Sequence, residues 1–374
     1  MVIFERNDIQ GLITALHARG YSVIGPTVRD GYITFDAIDS VDALPQGWTD
    51  VQVAGFYRIE RRKDEALFGY VVGPHSWKKF LFPARLKLFS ARKAGKGFEV
   101  EPAPLTSTPK YAFLGVRSCE LHAIAIQDKV FTSGQEADTH YATLRKSTFI
   151  ISVNCVETGG NCFCTSMNTG PGAKEGYDLA MTEVLEGGKH YFVVDVGSPL
   201  GEQVIADLRV RKAEQNEIES AEKAVAEAAG KMGRTLNTEG LPGLLTDNFD
   251  HPYWDEVAKR CMSCANCTMV CPTCFCNTVE DVTDLTGETA QRWRRWDSCF
   301  TSDFTRIAGG NIRMSTRTRY RQWFTHKLSN WVEQFGTFGC VGCGRCITWC
   351  PVGIDITEGA ATIRETSVTP TTIG

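Results

Sequence analysis

Apolar residues along positions 1–200 change spacing several times, and each change marks an element. Ile9, Leu12, Ile13 and Leu16 recur at helical intervals and Gly20 stops them, so a short helix is expected there. Asp30-Gly31 is a two-residue hairpin signal, with Val23, Ile24 and Val28 before it and Tyr32, Ile33 and Phe35 after it. Tyr57–Ile59, Phe68–Val72 and Phe80–Phe82 read as further strands. Tyr111–Val116 is an apolar strand, Glu120–Phe131 a helix and Phe149–Asn154 another apolar strand. That strand–helix–strand succession predicts two parallel strands. His190–Val196 reads as the last strand, after which the composition turns Ala-, Glu- and Lys-rich. Ile218, Ala221, Val225, Ala228 and Met232 then keep helical spacing, so one long connecting helix is expected over 204–232, ended by Gly230 and Gly233. Leu241–Leu245 and a helix opened by Pro252 lead into Cys261.

From there one pattern is written twice. Cys261-Met-Ser-Cys264-Ala-Asn-Cys267-Thr-Met-Val-Cys271-Pro272 is matched by Cys340-Val-Gly-Cys343-Gly-Arg-Cys346-Ile-Thr-Trp-Cys350-Pro351. Both are C-x2-C-x2-C-x3-C-P, the spacing that holds two [4Fe–4S] clusters. Three thiolates two residues apart curl round one face of a cubane. The fourth, followed by a proline that turns the chain away, serves the neighbouring cluster. The expected ligands are Cys261, Cys264, Cys267 and Cys350 for cluster A, and Cys340, Cys343, Cys346 and Cys271 for cluster B. Zinc also binds CxxC pairs, but two runs of four cysteines exceed its needs.

The remaining cysteines fall into two groups. Cys119 stands where the first parallel strand enters its helix, and Cys155 just beyond the end of the second. Both are expected at the same carboxyl edge of the sheet, where such sheets bind ligands. Cys162 and Cys164 follow in the Gly-rich loop Thr158-Gly-Gly-Asn-Cys-Phe-Cys, so these four thiols suggest a third cluster, with zinc or plain thiols as the alternatives. Cys274, Cys276 and Cys299 are left over, as redox-sensitive thiols or part of an additional metal site. Cys267-x3-Cys271-x2-Cys274 also fits a radical-SAM spacing, but its first two cysteines already belong to the dicluster pattern. Gly170-Pro-Gly172 is a poor dinucleotide fingerprint, and no P-loop or hydrolase arrangement is present. The histidines are scattered and read as structural. Metal sites are visible and a substrate site is not.

At 374 residues the chain has room for two or three domains. A net charge of −4 gives no push toward nucleic acid or anionic membranes. The 15 cysteines are clustered as metal ligands rather than spread as a disulfide framework, which implies a reducing compartment. The N-terminal residues carry charges where a secretory signal would be apolar, and no run approaches the roughly 18–20 apolar residues that span a bilayer. A soluble, cytoplasmic protein is expected. Two stretches are basic. Lys78, Lys79, Arg85, Lys87, Arg92, Lys93 and Lys96 read as a solvated rim, with docking of an acidic partner as the sharper option. Between the motifs, Arg292, Arg294, Arg295, Arg306, Arg313, Arg317, Arg319, Arg321 and Lys327 face only Asp297 and Asp303 within 291–330, with Trp293, Trp296 and Trp323 among them. Bases with aromatics can bind nucleic acid. Beside anionic clusters, tuning of potential and subunit docking are the preferred reading.

The fold expected is therefore α+β. A mixed α/β domain (1–200) with the third cluster site is joined by a helical connector (201–250) to an α-helical-ferredoxin-like dicluster domain (251–365). That last domain carries a helical basic insert, and residues 366–374 form a flexible tail.

Gly115-Val-Arg-Ser-Cys-Glu-Leu-His-Ala-Ile124, Asn154-Cys155, Cys162-Phe-Cys-Thr-Ser-Met167, Cys271-Pro-Thr-Cys-Phe-Cys276, Trp296-Asp-Ser-Cys299 and the run from Gly339 to Asp355 go beyond a ferredoxin pattern. Together they resemble the β subunit of NAD(P)-linked [NiFe] hydrogenases, or sulfhydrogenases, and cover about residues 55 to 360. An iron–sulfur subunit of anaerobic sulfite reductase has a similar layout. The resemblance implies an electron-transfer role, alongside the [NiFe] large and small subunits and an FAD/NAD(P)-binding subunit, with sulfur or polysulfide as a further acceptor. The alternatives are the same role in a sulfite reductase, or a regulatory metal protein contacting nucleic acid.

Overall fold

The computed structural model describes residues 1–102, 109–134 and 137–367; most of the tail expected over 366–374 lies outside these. An eight-stranded mixed sheet forms the centre of the N-terminal half. Its four middle strands, Ser22–Arg29, Tyr111–Val116, Phe149–Val153 and Leu179–Glu186, run parallel in that spatial order. Tyr32–Ala37 closes one side, through the expected hairpin at Asp30 and Gly31, both of which take positive φ. Lys189–Val196, Val2–Glu5 and Arg211–Lys212 complete the other side, all antiparallel.

The parallel strands read as unbroken apolar runs because both faces are covered. Ala112, Leu114, Phe149 and Ile151 pack toward the helix Ile9–Ala18. Phe113, Val116 and Ile150 pack on the opposite side with Leu121 and Ile124 of the helix Ser118–Phe131. Cys119, in the first turn of that helix, and Cys155, just past the strand Phe149–Val153, consequently lie at the strands' carboxyl edge.

The C-terminal half is mostly helical. Leu241–Asp247, Tyr253–Arg260, Thr316–Phe335 and Ile356–Thr366 bury Trp254, Tyr320, Phe324, Leu328 and Ile363 in one core. The chain is thus α+β, with helices gathered around the repeated cysteine motifs.

Four expectations are corrected. Phe68–Val72 is a buried irregular segment, because side chains take the places of a neighbouring strand. Glu183 accepts from the N–H groups of Leu67 and Phe68, Asp50 accepts from Val71 N–H, and Arg117 donates to the carbonyls of Phe68 and Tyr70. Phe80–Phe82 belongs to and follows a one-turn helix, Lys78–Leu81; a three-residue apolar run cannot separate the two forms. The long helix over 204–232 is broken. Ser198 caps a separate helix Pro199–Ile205, Arg211–Lys212 joins the main sheet, and only Gln215–Ala229 is continuous. That helix packs on the sheet through Ala221, one of the residues at helical spacing. Finally, the insert is helical only in its second part. Asn277–Thr283 and Thr289–Trp296 form a hairpin that pairs with Arg85–Ala94, which in turn pairs with Gly97–Pro102. A second sheet thus joins segments far apart in sequence.

A buried ion pair ties the halves together. Arg345, from the second cysteine motif, is fully buried and ion-paired with Glu120 of the Ser118–Phe131 helix. It also donates to the carbonyls of Gly73 and His75, at 2.9 and 3.0 Å. Glu120 further accepts from Trp77 Nε1 at 3.0 Å. Replacing Glu120 by Gln leaves the buried guanidinium without its carboxylate partner. Anaerobic guanidinium-chloride unfolding is expected to show a loss of about 3–5 kcal/mol, whereas Asp281→Asn, in the exposed pair with Arg292, leaves the midpoint unchanged. Equal effects of the two substitutions would refute the role given to the buried pair.

Candidate metal centres

The two cysteine motifs share one backbone path. Ser263 and Ala265 in the first copy take φ of 52° and 67°; Gly342 and Gly344, at the matching positions of the second, take 66° and 74°. Each left-handed turn brings successive thiols to the same side, and a one-turn helix follows, Asn266–Met269 in one copy and Arg345–Thr348 in the other. The choice of residue follows from the surroundings. A Cβ on Gly342 would lie 2.6 Å from the Phe163 carbonyl carbon, and one on Gly344 would lie 2.4 Å from the Asn161 oxygen. The second motif presses on the Asn161–Cys164 loop and needs glycine. The first lies at the surface, where Cys264 is exposed, and tolerates Ser and Ala despite the strain.

Pro272 and Pro351 then send each fourth cysteine across. Cys350 lines a hollow with Cys261, Cys264 and Cys267, walled by Phe300, Tyr320, Trp323 and Ile354; Cys346 lines it as well. Burial raises the Cys267 thiol well above its ordinary value, and the sulfurs of Cys261, Cys350 and Cys264 raise it further. Cys271 is brought instead to Cys340, Cys343 and Cys346. Burial pushes Cys340 up to about 12, against an opposing hydrogen bond from Gly342 N–H and the charge of Lys327. Cys343 is raised by burial and partly relieved by Arg345.

The third set also converges. Cys119, Cys155, Cys162 and Cys164 line one hollow together with Cys343, Val71, Val72, Pro171 and Met232. Burial raises all four thiols, Cys162 to about 12, while the Arg117 guanidinium partly offsets the effect at Cys155. Cys274 lies beside Cys271, and Cys276 lies beside Cys299. Among the described residues no three His, Cys, Asp or Glu side chains are close enough for a single metal ion. Thiols set around cavities, with backbone N–H groups and buried cations facing them, suit a larger anionic group such as an iron–sulfur cubane.

The basic insert is corrected as a source of cluster tuning. Arg292 pairs with Asp281, Arg294 with Asp138, Arg295 with Glu280 and Arg317 with Asp250 and Asp255. These carboxylates lie outside 291–330 in the sequence, so a local charge count misses them. Lys327 instead faces sulfur. It sits in a π-helical turn, His326–Asn330, and donates to Cys271 Sγ at 3.1 Å. Burial alone would lower its pKa, but the sulfurs of Cys271, Cys274 and Cys340 raise it well above the ordinary value, so it stays charged. Lys78, expected on a solvated rim, is likewise buried at 5% exposure against Trp296 and the Cys274 carbonyl. Sequence reading did not single out Arg117 and Arg345. Their position beside cysteines, in Arg117-Ser-Cys119 and Cys343-Gly-Arg345-Cys346, was the available signal.

Residues 260–354 match the family model described as a 4Fe-4S dicluster domain. The chain is also 30% identical to sulfhydrogenase 2 subunit beta of Pyrococcus furiosus, over 346 residues that span 92% of each protein. The chain belongs to the sulfhydrogenase β-subunit family. No solved structure matches it. As a sulfhydrogenase β-type chain it is an accessory, iron–sulfur electron-transfer subunit of an oxidoreductase complex, and it carries [4Fe–4S] clusters on its dicluster domain. No helix among the described residues is long and apolar enough to cross a membrane.

The glycines make this β-type fold testable. Gly342→Ala meets the Phe163–Cys164 backbone and is expected to destabilise the protein by about 2–4 kcal/mol. Gly336→Ala has a similar φ, 69°, but open space around it, and is expected to lose only about 1 kcal/mol. Thermal unfolding of both variants under anaerobic conditions reads the difference; equal losses would show that the loops do not press on one another.

Proposed function

We propose that this chain carries single electrons within a soluble, cytoplasmic, NAD(P)-linked [NiFe] hydrogenase complex, through three centres in series. Cluster A would be held by Cys261, Cys264, Cys267 and Cys350, cluster B by Cys340, Cys343, Cys346 and Cys271, and a third by Cys119, Cys155, Cys162 and Cys164. The observation that carries this reading is the sharing of walls. Cys343 lines the third cavity while grouped with the B thiols, and Cys346, also of the B group, touches the A cavity. Set B is therefore the middle of the series, and set A, with the exposed Cys264, is an end open to a partner. The partners implied by the resemblance are the [NiFe] large and small subunits and an FAD/NAD(P)-binding subunit. Sulfur or polysulfide would be an additional acceptor.

A bound [4Fe–4S] centre supplies one-electron transfer at thiolate-held iron. The chain's own residues do the rest. Trp323, Tyr320 and Phe300 keep water from set A. Lys327 and Arg345 place fixed positive charge beside set B, and Arg117 beside the third set, which favours the more negative, reduced state. The paired arginines of the insert leave little free positive charge for nucleic acid, which weighs against the regulatory reading. Sirohaem on a co-purifying subunit, rather than nickel, would favour the sulfite-reductase alternative.

Anaerobically purified protein is expected to hold about twelve iron and twelve sulfide per chain, with nickel in the co-purifying large subunit. Cys162→Ser should remove about four iron; an unchanged count excludes the third cluster. Cys350→Ser should abolish the signal of the cluster bound by the first motif and spare the other; the reverse result refutes the crossed pairing. Lys327→Gln should lower the potential of cluster B by roughly 100 mV in an EPR-monitored titration. No shift would remove Lys327 from the electrostatics of the site.

A further inference from the structure

The neck of the hairpin between the two motifs holds thiols that none of the three sets uses. Cys274 and Cys276 precede the strand Asn277–Thr283, and Cys299 follows the strand Thr289–Trp296. Asn277 lies opposite Trp296 at the end of the ladder, and Asp297 N–H donates to the Cys276 carbonyl at 2.9 Å. This pairing brings both ends of the hairpin together, so that Cys299, two residues past Asp297, lies beside Cys276. Cys274 lies on the other side, next to Cys271. A pair is left, and both of its members are partly exposed to solvent.

Two buried ammonium groups stand beside these thiols without a carboxylate partner among the described residues. Lys78 Nζ sits 3.9 Å over the Trp296 ring and donates to the Cys274 carbonyl at 3.2 Å. Lys327 Nζ donates to Thr273 Oγ1 and Cys271 Sγ, each at 3.1 Å. Interior ammonium groups need negative charge nearby, and here only sulfur supplies it. Cys276 is accordingly pushed down to about 7, first by the Cys299 hydrogen bond, against burial, and then by Lys327 and Lys78.

We propose that Cys276 and Cys299 form a redox-active thiol pair, a two-electron centre set beside the one-electron sites. Starting from thiolate Cys276 and thiol Cys299, joining the two sulfurs releases two electrons and one proton. The electrons pass singly to the iron–sulfur centres held by Cys271 and Cys267, a step that rests on the cluster reading above. The proton leaves to solvent at the open neck, and reduction runs the same steps backwards. Cys299 lies near enough to feel the charge of Cys267, and Cys276 shares Lys327 with Cys271, so each thiol of the pair faces a different centre.

The test uses the intact chain, purified without oxygen and treated with diamide. Free thiols are alkylated, and the digest is examined by mass spectrometry with and without reduction. A peptide linking Cys276 to Cys299 is expected, reversible by dithiothreitol, at unchanged iron content. Cys276→Ser and Cys299→Ser are each expected to keep wild-type iron and to lose the linked peptide. Failure to find that peptide in the wild type overturns the proposal, and so does loss of about four iron per chain in either variant, which would mark these thiols as cluster ligands. An iron-free wild type would defeat the cluster reading instead, while the linked peptide would still support the pair.

Discussion

The close seating of the second cysteine motif against the N-terminal half is the constraint on which the other features depend. Gly342 and Gly344 let the chain approach the Asn161–Cys164 loop, and Phe163 N–H donates to the Gly342 carbonyl at 2.8 Å. Thr169 Oγ1 donates to the Val341 carbonyl at 2.7 Å, and Asn161 Nδ2 to Thr348 Oγ1 at 2.8 Å. Arg345 then pairs its charge with that of Glu120 inside the protein. Without this seam Cys343 would not line the cavity of Cys119, Cys155, Cys162 and Cys164. A buried ion pair is weak evidence of stability, but it disfavours other docking arrangements, because each one leaves a charge unpaired.

Charge balance explains the remaining polar groups. Thiolates in a dry interior repel one another, and burial by itself keeps thiols protonated. The chain counters this with cations that are themselves buried: Lys327 on Cys271, Arg345 near Cys343, Arg117 near Cys155 and Lys78 near Cys274. The π-helical turn at His326–Asn330 belongs to this balance, since it interrupts the long helix at the residue that reaches Cys271. Surface arginines of the same insert meet ordinary carboxylates and have no such part.

The hairpin of the insert has two consequences. By pairing with Arg85–Ala94 it completes a sheet drawn from both halves, which holds the cysteine motifs at a fixed distance from the N-terminal sheet. Its neck also brings Cys276 to Cys299. Val279 and Val282 stand three residues apart, out of step with strand alternation, and a long basic segment with several tryptophans reads equally well as helical.

The dicluster cysteines, the parallel strand–helix–strand unit with Cys119 and Cys155 at one edge, the Asp30-Gly31 hairpin and the first helix were all legible, because spacing and local propensity encode them. Family membership was legible for the same reason, in short motifs read in order. Other features required the tertiary structure. Phe68–Val72 looked like a strand, yet its backbone groups are satisfied by Glu183, Asp50 and Arg117 from elsewhere in the chain. The arginines of the insert looked free until Asp138, Asp250 and Glu280 came within reach. Local sequence thus determined where the repeated cysteine motifs stand and which segments take up helix or strand by themselves. Folding decided which charges meet, because ion pairs, thiol groupings and buried cations depend on distances between segments that no periodicity records.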